Sequence, residues 1–196
     1  WRAWKKWLEE AEPIALTFLA MGYHAAVLRY SCAPAKYPTA LLELGSSILL
    51  IRKHAKDWHV NPKKIVVQGC SAGGHLAACL GMFWDEDFLA EKLGVSAKKH
   101  ELLKPNGMIL CYPVITSGEF AHKGSFQNLL GEEPDGELMD KLSLEKQVTE
   151  KSPRAFIWGT LTDVSVPMEN SLLLVSAMRR ANVSVEYHLY PRGAHG

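Results

Sequence analysis

Apolar residues recur at helical spacing at the start of the chain. Trp4, Trp7, Leu8, Ala11, Ala15, Phe18 and Leu19 predict a helix over 4–20, ended by Gly22. Pro13 lies inside that pattern and predicts a kink or two shorter helices. The run 25–30 (Ala-Ala-Val-Leu-Arg-Tyr) is short and apolar, as a strand would be, and a turn-rich loop follows at 33–38. Leu41, Leu44, Ile48, Ile51, Ala55 and Trp58 then form one apolar helical face, stopped by Asn61-Pro62. Four further apolar runs read as strands: 65–68, 108–112, 155–158 and 185–190. The first of these is β-branched and continuous, as in a strand buried on both faces. A helix follows the glycine-rich stretch 69–74, and another spans 167–181, opened by Pro167.

Strands and helices in alternation imply an α/β fold, with a mostly parallel sheet of five strands and helices on both faces. Residues 116–152 break the rhythm. They are polar and charged, with short helical pieces such as 137–142, and read as an insertion or cap at about 116–152 within one domain spanning 1–196. There is no internal repeat and no low-complexity tract.

Composition narrows the function classes. Lys and Arg number 22 against 21 Asp and Glu, a formal charge of +1, which points away from a nucleic-acid backbone or an anionic membrane as partner. A small or neutral substrate fits that balance. Cys32, Cys70, Cys79 and Cys111 are scattered, without the paired spacing of a zinc site, and imply a reducing, cytoplasmic setting. His54, His59, His100, His122 and His188 show no ligand spacing, so no metal and no cofactor is expected. The N-terminal stretch is aromatic and basic and lacks the uninterrupted apolar core of a signal peptide, and no apolar run is long enough to span a bilayer.

The strongest chemical signal is Gly69-Cys70-Ser71-Ala72-Gly73-Gly74, a G-x-S-x-G pattern between a buried strand and a helix. A chain turning that sharply strains the serine backbone, and glycines two residues either side remove the Cβ atoms that would clash. Ser71 is then presented above the sheet as a nucleophile, and the Ala72 N–H faces the position where an oxyanion would form, helped by the positive end of the helix. A glycine-rich turn with an incidental serine is the plainer alternative, and the flanking elements argue against it. The pattern resembles the nucleophile elbow of the α/β-hydrolase fold, in which the partners follow in the order serine, acid, histidine. Asp163 lies just past the strand 155–158 and His195 just past 185–190, each at the carboxyl end where sites of parallel sheets gather. His75 follows the elbow directly and is a candidate pocket residue. Trp158, Tyr112 and Phe156 read as core or pocket wall.

With these residues placed, nearly the whole chain resembles the acetyl-xylan-esterase-like "esterase/lipase" group of α/β hydrolases. Leu28-Arg29-Tyr30-Ser31, Ala33-Pro34 and Tyr37-Pro38-Thr39-Ala40 carry the resemblance, as does Asn61 to Ala77 around the elbow. So do Asp163-Val164-Ser165-Val166-Pro167, where the group has its catalytic acid, and Tyr190 to Gly196, where it has its base. The resemblance implies a serine esterase acting on small, acetyl-type esters of small-molecule alcohols such as sugars. Members of that group carry an upstream strand and a His-Gly-Gly loop with a second oxyanion donor, and a last helix. Relative to them the chain reads as truncated at both ends, with the first strands missing, and lack of one donor costs turnover about 10²–10³-fold. Two rivals remain: a serine peptidase of prolyl-oligopeptidase type, whose propeller does not fit in 196 residues, and a non-catalytic fragment lacking its oxyanion loop.

Overall fold

Four strands form one wholly parallel sheet in the order β1-β2-β3-β4: β1 (Val66–Cys70), β2 (Gly107–Cys111), β3 (Ala155–Thr160) and β4 (Val185–Tyr190). The structure is a computed structural model that describes residues 11–196. Those residues fall into an N-terminal unit ending at Tyr30 and a larger unit from Ser31 to Gly196 that holds the sheet.

In the N-terminal unit, α1 covers Glu12–Ala20. The predicted helix over 4–20 therefore has its first residues outside those described. Pro13 sits in the first turn of α1, where the missing N–H costs nothing; the kink or second helix expected there turns on residues outside those described. The end of α1 follows from Gly22 at φ +85°: Gly22 N–H donates to Leu19 O and Tyr23 N–H to Phe18 O, each at 3.0 Å. The Phe18 and Tyr23 rings meet across this cap, 6.0 Å apart. The predicted strand over 25–30 does not form, and Ala25, Ala26 and Val27 are exposed. An apolar run becomes a strand only when a neighbour takes up its N–H and C=O groups. No described strand pairs with this run, so the sheet of the described residues has four strands rather than five.

In the larger unit the strands appear within two residues of their predicted ends. Register separates the two faces of the sheet. Val67, Met108, Leu110, Ala155 and Ile157 are 7% exposed or less and face one way. They pack with buried residues of α2 (Thr39–Lys53), α3 (Ala72–Phe83) and α7 (Glu169–Arg180), such as Ile48, Leu80 and Leu174. The other face carries Val66, Ile109, Phe156, Trp158 and His188 and is partly exposed. Between β1 and β2 a short α4 (Asp87–Lys92) buries Leu89 and Ala90.

The polar stretch 116–152 contains α5 (Lys123–Leu130), α6 (Gly136–Lys141) and a 3₁₀ turn (Leu144–Lys146). Phe126, Leu142 and Leu144 reach down from it into the core of the larger unit. The parallel order brings the carboxyl ends of β1, β3 and β4, and the loops that follow them, to one edge. No described helix is long and apolar enough to cross a membrane.

Candidate active site

Ser71 joins β1 to α3 at φ 55°, ψ −119°, a left-handed conformation that side chains other than glycine rarely adopt. The turn exists because the backbone doubles back on itself. A Cβ on Gly69 would lie 2.0 Å from Gly73 O, so only glycine fits there. The neighbouring strand holds the serine in place. Ser71 N–H donates to Cys111 O at 2.9 Å, and Val114 N–H donates to Ser71 O at 3.1 Å.

Asp163 lies three residues beyond β3 and is buried. Its Oδ1 accepts from Ser165 N–H at 2.9 Å and Val166 N–H at 3.0 Å, which fixes the carboxylate plane. Its Oδ2 lies 2.6 Å from His195 Nδ1. Burial pushes this carboxyl up, but the hydrogen bonds from His195, Val166 and Ser165 outweigh it and hold the group below the usual carboxylate range. A carboxylate only accepts, so Nδ1 carries the proton and Nε2 of the neutral ring is an acceptor. That Nε2 lies 2.7 Å from Ser71 Oγ. The three residues singled out in the sequence are thus brought into one line across loops separated by 124 and 32 positions.

The imidazole is also packed. The Tyr112 ring meets it at 5.0 Å and 70°, and meets Trp158 at 5.0 Å on another side. Tyr112 follows β2 at φ 37°, a second residue in a strained conformation beside the site. Tyr112 lines the pocket beside Asp163, Trp158 packs against Tyr112, and Phe156 lies on the partly exposed face of the sheet against the His188 ring. Ala72 opens α3, where the first N–H groups have no intrahelical acceptor and no side chain caps them.

His75 is not a pocket residue. It is 5% exposed, its Nε2–H donates to Leu142 O at 3.0 Å, and its ring meets Phe126 edge-on at 5.5 Å. Cys79 Sγ lies 3.5 Å from its Nδ1. One turn into the helix after Ser71, the side chain points into the core and ties α3 to the turn at Leu142. Burial lowers its pKa to about 4, so it is neutral.

Sequence reasoning missed Asn170, which is fully buried. Its Oδ1 accepts from Ile115 N–H at 2.9 Å and Thr116 N–H at 3.1 Å, and its Nδ2 donates to Phe120 O and Pro167 O. This amide fastens the loop carrying Asp163 to the loop after β2. An Asn three residues past the Pro of a helix start was the available signal.

A serine, an imidazole and a carboxylate in this relay can activate a hydroxyl for attack on an acyl carbon. The family model for BD-FAE matches residues 3–178. The chain belongs to the BD-FAE family. Within this family assignment, the sequence is 36% identical over 193 residues to the endo-1,4-beta-xylanase B of Butyrivibrio fibrisolvens, covering 95% of the chain and 29% of that protein. It is 34% identical over 164 residues to the acetylxylan esterase of Xylanibacter ruminicola, covering 81% of the chain and 31% of that protein. The chain thus spans under a third of either curated relative. The BD-FAE chain also superposes on the acetyl ester-xyloside bifunctional hydrolase of Caldicellulosiruptor lactoaceticus with a TM-score of 0.85 and 40% identity, over 95% of the chain and 68% of that structure. The α/β-hydrolase fold expected from the elbow is the fold found.

Proposed function

We propose that this chain is a serine esterase that removes small acyl groups, acetyl above all, from the hydroxyls of sugars. The carrying observation is the relay Ser71 Oγ–His195 Nε2 at 2.7 Å and His195 Nδ1–Asp163 Oδ2 at 2.6 Å. Its relatives' names, an acetylxylan esterase and an acetyl ester-xyloside hydrolase, support the choice of acyl group and alcohol.

In this reading Ser71 Oγ attacks the ester carbonyl while His195 Nε2 takes the hydroxyl proton. Asp163 holds the ring with Nδ1–H toward itself and offsets the charge of the imidazolium. The Ala72 N–H donates to the oxyanion, and the field of α3 adds to it. The imidazolium then protonates the leaving sugar hydroxyl, and the acyl group remains on Ser71. Water, deprotonated by His195, attacks that ester and frees the carboxylate.

The test of substrate class is acetate release from acetylated xylo-oligosaccharides, followed by proton NMR. The expected result is release by the parent chain at least about 10²-fold faster than by His195→Ala, the scale on which a positioned base contributes. Equal release by both contradicts the reading.

A further inference from the structure

His195 lies on a segment, 191–196, that no strand or helix contains, and Arg192, Gly193 and Ala194 are exposed. Such a loop is mobile by default, yet its imidazole must keep hydrogen-bond distance to two side chains at once. Two hydroxyls, one at the end of β3 and one in the loop after it, supply the restraint. Thr160 Oγ1 donates to Gly193 O at 2.9 Å. Thr162 Oγ1 accepts from Gly193 N–H at 3.0 Å and donates to Gly193 O at 2.9 Å. Leu161 N–H, between them, donates to Tyr190 O at 2.8 Å. Gly193 is at φ +157°, and a Cβ there would sit 2.5 Å from Thr160 Cγ2, so glycine lets the clamp close.

We propose that Thr162, supported by Thr160, is a positioning residue for the base: it holds the main chain of Gly193 so that His195 meets Ser71 and Asp163 together. The proposal rests on the reading of Ser71 and His195 given above. The two threonines immediately precede Asp163, so one stretch of chain orients the imidazole twice, through the carboxylate on its ring and through the hydroxyls on its backbone. The two threonines differ in a useful way. Thr160 is buried, and its loss would disturb packing. Thr162 is exposed, and water can satisfy Gly193 N–H if the hydroxyl is removed, so Thr162 can be changed with little effect on stability.

The experiment compares the parent chain with Thr162→Val, Thr162→Ser and Ser71→Ala. It measures p-nitrophenyl acetate kcat and KM, thermal midpoint, and the rate at which diisopropyl fluorophosphate labels the protein by intact mass. In labelling, a bond forms from the serine Oγ to phosphorus, the P–F bond breaks, fluoride leaves and the hydroxyl proton passes to His195. The expected result is that Thr162→Val lowers kcat and labelling by about 10–100-fold, the scale for a displaced catalytic group, with KM and thermal midpoint at parental values. Thr162→Ser, which keeps the hydroxyl, is expected to restore most of the loss. Parental kcat and labelling in Thr162→Val overturn the proposal, as does a loss that Thr162→Ser shares or that tracks a fallen thermal midpoint. A parent that neither turns over nor labels, or a label that persists in Ser71→Ala, overturns the underlying assignment of Ser71 instead.

Discussion

Ser71 and His75 sit four positions apart on the same side of the elbow, and their surroundings give them opposite tasks. The serine is held out of the core by a backbone conformation that costs on the order of 1–3 kcal/mol. The histidine, one turn later, is drawn in. Its pKa falls from 6.5 to about 4 because burial penalises the imidazolium. The sign follows from proton counts: below 6.5 the unfolded chain gains a proton that the folded chain refuses, so stability falls as pH falls from 6.5 toward 4. At about pH 5 the loss is about 2 kcal/mol. Asp163 adds nothing at that pH, since its lowered pKa confines its own loss to more acid conditions. Urea unfolding of the parent and of His75→Gln, which keeps an N–H for Leu142 O without titrating, checks this. The gap between pH 7 and pH 5 is expected to be larger in the parent by that amount, and equal gaps contradict it. Ser71, Asp163 and His195 were legible in the sequence because each follows a strong apolar run at a carboxyl end. The direction of His75 was not, because a helical residue's side depends on what packs over it. Thr160 and Thr162 act through hydroxyl contacts to distant backbone, which no local pattern encodes.

Among the elements, β1 to β4 were readable because strands buried on at least one face are short, apolar and β-branched or aromatic. The run 25–30 is also apolar but pairs with no described strand, so apolarity alone does not make a strand. The short α4 went unread because six residues give less than two turns of periodicity. In the segment 116–152 charged residues masked its anchors. Leu144 is fully buried, and its backbone N–H donates to Ile115 O at 3.1 Å. Leu144→Ala is expected to cost about 3 kcal/mol of stability, within the range for a large core truncation. Denaturant titration measures it, and a cost under about 1 kcal/mol would mean the segment is not part of this core.

The whole molecule places three loops, after β1, β3 and β4, at one edge of a parallel sheet, and each contributes one member of the relay. Topology makes this economical, because parallel strands all end on the same side. The BD-FAE family membership and the α/β-hydrolase fold agree with what that edge can do. Everything in the proposed chemistry passes through Ser71. The most direct test is p-nitrophenyl acetate hydrolysis by the parent chain and by Ser71→Ala, side by side, with circular dichroism to establish that both are folded. The expected result is turnover by the parent and a fall to background in Ser71→Ala, a loss on the order of 10⁴-fold or more. Equal hydrolysis by the two folded proteins would contradict the account at its centre.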